Sequence, residues 1–140
     1  MRITGLSVLA LLTFGVVLAA ESTPLASIAK IATALSEGDS DGTLEYFDSQ
    51  MKGFGDLEQK VQALAEQADV SCAIDVVSDN EADGVHKLDL DWYMELKAQS
   101  GNGALERRRE RVQVEMKLIK KAWRITSISP LTIFDPLHIQ

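Results

Sequence analysis

Three segments in which apolar and polar residues alternate follow one another in the C-terminal half of the chain. They span residues 85–97, 107–119 and 122–130. A period of two places successive side chains on opposite faces of a strand, so this pattern predicts half-buried antiparallel β-strands. A curved sheet with one apolar face needs a cover, and the N-terminal half supplies helices for it. The predicted fold class is therefore α+β.

The first twenty residues have the pattern of a secretory signal peptide. Arg2 is the only charged side chain before an apolar run at residues 8–20 that ends in small residues. The run is shorter than the roughly 20 residues that a spanning helix needs, which disfavours the alternative of a retained membrane anchor. We predict a signal peptide at 1–20, a single domain at 21–140, and a secreted or periplasmic location.

The charge balance restricts the class of partner. The chain carries 14 Lys and Arg against 21 Asp and Glu, and loss of Arg2 with the leader leaves 13 basic residues and a net charge of −8. Nucleic acid requires a basic face, and anionic lipid also attracts basic segments. We therefore expect neither nucleic acid nor, after cleavage of the leader, a membrane as partner.

Apolar residues at helical spacing predict three helices ahead of the sheet. The first begins at Pro24 and ends at Gly38, while Asp41 and Asp56 are the predicted caps of the second and third. The predicted buried stripes are Leu25, Ile28, Ile31 and Leu35, then Leu44, Phe47 and Met51, then Leu57, Val61, Leu64 and Ala68.

A first strand is predicted at residues 70–77, which are rich in β-branched side chains, and the acidic stretch 78–84 is predicted to be a turn. Cys72 is the only cysteine, so no internal disulfide can form. It shares a face with Ile74 and Val76. We therefore interpret it as a buried apolar residue rather than a reactive thiol.

The apolar pattern also predicts the register, because a slip of one residue would turn a whole face outward. Pairing Val112 with Leu90 and Val114 with Leu88 keeps apolar side chains together and sets Arg111 opposite Asp91. The remaining predicted pairs are Arg107 with Glu95, Glu115 with Lys87, Val76 with Leu88, Ile74 with Leu90, Trp123 with Leu118, and Ile125 with Met116.

Several short motifs resemble the nuclear transport factor 2-like superfamily. They are residues 34–39 and 46–48, residues 55–58 at the start of the third helix, and KKAWRI at 120–125, which is similar to the start of the family's final strand. The resemblance implies a cone-shaped α+β domain of three helices on a four-stranded meander. This superfamily contains isomerases, dehydratases, ligand binders and interaction domains, so the fold alone does not decide the function.

Enzymes of the superfamily place an acid or base inside the cone, where this chain is mostly apolar. The inward polar residues are His86, Arg108, Glu110 and Ser127, and with Trp92 the first three are our candidate ligand-binding residues. The register places His86 near Met116 and Glu110 near Trp92, too far apart to share a proton at ~3.3 Å per residue. We read Arg108 and Glu110 as an ion pair at the rim and predict no catalytic residue.

Two charged stretches imitate ion-binding motifs. Residues 37–48 follow the spacing of a calcium loop, but the first ligand is Glu37 and the last is Asp48, which is too short for the usual bidentate glutamate. We interpret them as a helix end, a turn and a cap, and expect no metal and no cofactor. The run 106–111 is interpreted as a solvated strand face rather than an anion site.

Three functions remain open from the sequence. The favoured one is a non-catalytic module that binds a small apolar ligand between helices and sheet, forms a homodimer through the sheet, or does both. The second is an isomerase- or dehydratase-like enzyme that uses His86 or Glu110, and the third is a purely structural domain with a packed interior. The apolar tail 131–139 is expected to pack across the mouth of the cone or to reach a partner.

Overall fold

The computed structural model describes residues 23–138 as three helices followed by a four-stranded antiparallel sheet, which confirms the α+β class. The elements are α1 (Pro24–Ser36), α2 (Ser40–Leu44), α3 (Phe54–Gln67), β1 (Ala68–Ala82), β2 (Val85–Ala98), β3 (Leu105–Ile119), β4 (Ala122–Ser129) and a 3-10 turn (Leu131–Phe134). The strands pair in chain order. The predicted signal peptide lies outside the described residues. Within them, no helix has both the length and the apolar character needed to cross a bilayer.

Two of the helices begin after a residue whose side chain accepts a hydrogen bond from a free N–H group. Thr23 caps α1, which begins at Pro24 as predicted, and accepts a hydrogen bond from the Ala26 amide at 3.1 Å. The predicted cap of α2 was wrong by two residues: Asp39, not Asp41, accepts from the Gly42 amide at 2.9 Å. A side chain at Gly42 would collide with the Asp39 carboxylate, so the glycine permits this cap.

Two further helix predictions need correction. The N-cap of α3 is Gly53, with φ of 83°, and Asp56 lies inside the first turn. Leu25 was predicted to belong to the buried stripe of α1, but it is 54% exposed because it lies in the first turn of the helix. The rest of that stripe is buried as predicted.

The β1–β2 hairpin is longer than predicted. Its turn consists of Asp83 and Gly84 alone, both with positive φ (55° and 79°), and β1 therefore continues to Ala82 through the acidic stretch predicted as a turn. The shorter turn and a bulge after Val76 move the register by two residues, so that Val76 pairs with Leu90 and Ile74 with Trp92. The predicted pairing of these two residues was wrong.

The other two strand pairs have the predicted register in the core. Val112 pairs with Leu90, and Ile125 pairs with Met116 across a hairpin turn formed by Lys120 and Lys121. A bulge then follows, because Ser127 pairs with Glu115 instead of continuing the alternation. Ile128 consequently packs against the core and Ser127 is exposed, the reverse of the prediction.

The core lies between the helices and the face of the sheet that they cover, which we call the inner face. Its fully buried side chains, all 0% exposed, include Leu90, Trp92, Met94, Leu96, Val112, Met116 and Ile125 from the sheet and Ile31 and Leu57 from the helices. Residues 131–138, which we call the C-terminal segment, add Ile133 and Phe134, also 0% exposed. Of the two fates expected for the tail, the structure therefore shows it folded back on its own domain.

Candidate functional site

The C-terminal segment lies against α3 and β3 on the inner face of the sheet, and we call the space that it fills the groove. The ring of Phe134 meets that of Trp92 edge to face, with centroids 5.4 Å apart and planes at 84°. Both side chains and the adjacent Ile133 are completely enclosed by protein atoms, so the chain itself fills this part of the groove. One of the four candidate ligand-binding residues, Trp92, thus contacts the chain's own tail.

Arg108 binds the same segment through main-chain oxygens. Its Nη1 donates to the carbonyls of Ile133 at 3.0 Å and Asp135 at 2.5 Å, and its Nη2 donates to that of Pro136 at 2.8 Å. The residue is 8% exposed. A buried guanidinium needs such acceptors for its five N–H groups. The carbonyls of the C-terminal segment therefore offset the free-energy cost of burying Arg108.

Glu106 neutralises Arg108 and fixes the end of the segment. Its Oε2 accepts from Arg108 Nε at 2.7 Å, and its Oε1 accepts from the His138 amide at 2.8 Å. Burial acts to raise the pKa of Glu106, but the hydrogen bonds from Arg108 and His138 outweigh it and the pKa is lowered. We did not single out this residue from the sequence, although it lies two positions before Arg108 and therefore on the same face.

Two further contacts complete the attachment. The Thr132 hydroxyl donates to Glu110 at 3.0 Å, and Lys60 on α3 pairs with Asp135 at 2.5 Å, a contact that raises the pKa of Lys60. The expected rim ion pair between Arg108 and Glu110 was wrong, because Arg108 pairs with Glu106 and Glu110 binds Thr132. Three of the four candidate residues, Trp92, Arg108 and Glu110, are brought together by the fold, and all three contact the C-terminal segment.

His86 lies away from this cluster, at the end of the sheet that carries the β1–β2 and β3–β4 turns. Its Nδ1 is 2.8 Å from Asp79 Oδ1, and its ring meets Trp123 edge to face at 4.9 Å. The predicted separation from Glu110 is confirmed, since His86 pairs with Met116 whereas Glu110 pairs with Trp92, farther along the same strands. Asp79 was missed because its segment was predicted to be a turn.

Cys72 is an unreactive thiol by its surroundings. Burial raises its pKa to about 12, with the Trp92 side chain acting weakly in the opposite direction. Since the thiolate is the nucleophilic form, the group stays protonated at neutral pH. The interpretation of Cys72 as a packed residue agrees with this environment.

Polar clusters and clefts elsewhere add little chemistry. Within residues 23–138, no group of three or more His, Cys, Asp or Glu side chains is arranged to hold a metal ion. Asp39 caps α2 and Asp48 accepts from the Gln50 amide at 3.0 Å, so these two carboxylates of the calcium-like loop have local backbone partners. An open cleft of about 500 Å³ lies beside the C-terminal segment, lined by Glu66, Gln67, Ala98, Gln99, Ser100, Pro136 and Leu137.

The opposite face of the sheet, which we call the outer face, carries two charged stripes. Acidic residues on β2 lie beside basic residues on β3, and the ion pairs are Glu95–Arg107 (3.4 Å), Asp91–Arg109 (2.9 Å) and Asp89–Arg111 (2.7 Å). The predicted Cα register, with Arg111 opposite Asp91, is confirmed. Two of the three ion pairs nevertheless run diagonally, because Arg109 and Arg111 each reach a carboxylate two residues from their direct partner.

Comparison with known proteins identifies the fold and not the activity. No family model and no curated protein sequence matches the chain. A nuclear transport factor 2-like superfamily protein from Salmonella enterica serovar Typhimurium superposes with a TM-score of 0.60 at 11% identity, over 81% of this chain and 89% of that one. A conserved protein from Planctomyces limnophilus gives 0.65 at 7% identity, over 73% and 87%. The protein Aln2 from a Streptomyces species gives 0.56 at 18%, over 73% and 82%. The chain therefore has the nuclear transport factor 2-like fold that its motifs predicted.

Proposed function

We propose that this chain is a non-catalytic association module, a cone-shaped domain exported after removal of residues 1–20, which forms a homodimer through the outer face of its sheet. The observation that carries the proposal is the pair of parallel stripes, acidic on β2 and basic on β3. The inner face offers no open space for a small apolar ligand at Trp92, because Ile133 and Phe134 of the chain itself fill it.

The stripes are self-complementary under one arrangement of two copies. A two-fold axis that runs along the strands between β2 and β3 lays β2 of one copy over β3 of the other. Asp91 then faces the partner's Arg111, which is its direct neighbour across the strands of one copy. An axis across the strands would instead oppose acid to acid, so charge selects the first arrangement.

The arginines of the outer face retain donors for such a partner. The side chains of Arg107, Arg109 and Arg111 are 64%, 67% and 60% exposed, and each uses only one or two of its five N–H groups within the sheet. Because interface cores are usually depleted in Lys, Asp and Glu, we expect modest affinity. Because the contacts are ionic, we expect the dimer to weaken with salt.

An enzyme is the alternative, and one observation favours it. Asp79 holds His86 through Nδ1, an arrangement that can orient a histidine as a general base. Trp123 packs against the same ring, which equally explains the pair as a structural support for the end of the sheet. The proposal assigns His86 the structural role, so His86→Gln should leave self-association unchanged.

Sedimentation equilibrium at low and high salt tests the proposal. We expect a dimer at micromolar concentration in low salt that dissociates in high salt. Asp91→Arg and Arg111→Asp should each give monomers, because each places like charges opposite one another, whereas the double charge exchange should restore the dimer. Tyr93→Arg should also give a monomer, because in this arrangement residue 93 faces the partner's Arg109. A wild-type monomer in low salt would contradict the proposal.

A further inference from the structure

We propose that the groove of the inner face is a binding site for a short peptide that forms a 3-10 turn, and that the C-terminal segment fills it in cis. The peptide it takes has adjacent aliphatic and aromatic residues followed by an acidic residue. In the segment these are Ile133, Phe134 and Asp135. This site is separate from the outer face, so the proposal goes beyond the dimer and does not depend on it.

The C-terminal segment is held in the way that a receptor holds a ligand. Apart from the backbone bonds of its own 3-10 turn, its hydrogen bonds go to side chains of α3 and β3. The side chains that bind it are Lys60 and Gln67 from α3 and Glu106, Arg108 and Glu110 from β3. No strand of the sheet pairs with it, so its removal leaves the β-ladders intact.

The contacts divide into those that any peptide can make and those that select a sequence. Arg108 binds three main-chain carbonyls, which a peptide of any sequence presents when it adopts the same turn. The enclosed sites of Ile133 and Phe134 select an aliphatic and an aromatic side chain. Lys60 then selects an acidic residue at the next position, through a charge-assisted hydrogen bond.

A tethered segment competes strongly with any free peptide. The effective concentration of a short tethered ligand is on the order of millimolar. A free peptide therefore displaces the segment only if its concentration is higher than that, or if the segment itself binds more weakly. Phe134→Ala weakens the segment while leaving every groove residue of α3 and β3 unchanged. The variant therefore exposes the groove to a competitor.

The test uses the full chain and a fluorescent synthetic peptide with the sequence of residues 130–140, followed by fluorescence anisotropy. We expect the peptide to bind the Phe134→Ala chain at least tenfold more tightly than the wild-type chain and to raise the melting temperature of the variant. A peptide that itself carries Phe134→Ala should bind at least tenfold more weakly. Adding Arg108→Lys to the variant chain should weaken binding, whereas Arg109→Lys, its matched control on the outer face, should not.

If circular dichroism shows that Phe134→Ala is unfolded, the same titration is done with Asp135→Ala, which removes only the ion pair to Lys60. Two results with a folded variant would contradict the proposal. A folded variant that does not bind the wild-type peptide would make the C-terminal segment a fixed part of the core. Binding of indole or toluene without binding of the peptide would assign the groove to small apolar molecules instead.

Discussion

Arg108 and Arg109 are adjacent on β3, yet they lie in opposite environments. The side chain of Arg108 is 7% exposed and is held by Glu106 and three carbonyls of the C-terminal segment. That of Arg109 is 67% exposed, pairs with Asp91, and lies over the ring of Tyr93 at 5.9 Å. Arg108 is therefore committed to contacts within the chain, whereas Arg109 keeps unused hydrogen-bond donors.

This difference indicates where each face can act. Side chains of the inner face are committed to packing, so a new ligand there must displace the C-terminal segment. Charges of the outer face are paired in solvent, where each pair contributes only about 0–1 kcal/mol and can exchange partners at little cost. Association through the outer face needs no rearrangement of the fold.

The largest expected effect comes from removing the inner side chain that contacts the segment. Trp92→Ala should reduce the free energy of unfolding by about 3–5 kcal/mol, because it leaves a cavity beside Phe134. Tyr93→Ala, the next residue but on the outer face, should cost less than about 1 kcal/mol. Urea denaturation of both variants measures the contrast, and a loss below about 1 kcal/mol for Trp92→Ala would place that residue outside the core.

The neighbouring arginines give the next contrast. Arg108→Ala should destabilise the fold by about 3 kcal/mol, because it leaves the buried carboxylate of Glu106 without its cationic partner. Arg109→Ala should cost much less, because its ion pair with Asp91 lies in solvent. Equal losses for the two variants would remove the distinction between the faces.

Acid should weaken the attachment of the C-terminal segment through Glu106, whose pKa is lowered in the folded chain. Such a carboxyl group stabilises the fold above its unfolded pKa of about 4.3, and this contribution is lost as pH falls through the folded value. At about pH 7 the free energy of unfolding of Glu106→Gln should therefore be lower than that of the wild type. On acidification to about pH 3 this free energy should fall less in the variant than in the wild type. Denaturation of wild type and variant at both pH values isolates this contribution, and parallel losses in wild type and Glu106→Gln would exclude it.

The thiol of Cys72 should react slowly. Its pKa of about 12 leaves almost no thiolate at neutral pH, so alkylation by iodoacetamide should become appreciable only when the protein is unfolded. The rate in native buffer is compared with that in concentrated urea. A native rate equal to the unfolded one would show that Cys72 is not enclosed.

The smallest effect belongs to a single charge of the outer face. Arg111→Gln should change the stability of the folded chain by only about 0.2–1 kcal/mol, since it removes one exposed pair with Asp89. Its effect on self-association in low salt should be clearer than its effect on stability. If Arg111→Gln lost stability but dimerised as the wild type does, the outer face would stabilise the fold and would not mediate association.

Much of the fold could be predicted from the sequence, because period-two alternation determines which side chains of β2 and β3 face inward. Alternation does not reveal where a bulge interrupts it, so the exchange of Ser127 and Ile128 was not predictable. The shift of Val76 has two causes, a bulge after that residue and a hairpin turn of only two residues, and alternation reveals neither.

The candidate site could be predicted only in part. The alternation of side chains along β2 and β3 is enough to place Trp92, Arg108 and Glu110 on the inner face, and the structure brings them together. Their occupant could not be predicted from pattern, since the tail has no periodicity and its fate depends on tertiary contacts. Lys60 was likewise missed, because its partner Asp135 lies 75 residues away in the chain.

The contact between Trp92 and Phe134 tests the central claim most directly. Nuclear Overhauser effects between the two rings, measured in solution on selectively labelled protein, report whether the C-terminal segment occupies the groove. With ring centroids 5.4 Å apart, strong cross-peaks are predicted, and they should persist at high salt, where we expect the proposed outer-face dimer to dissociate. Absence of these cross-peaks from a folded chain would mean that the groove is open and that the inner face is free to bind a ligand.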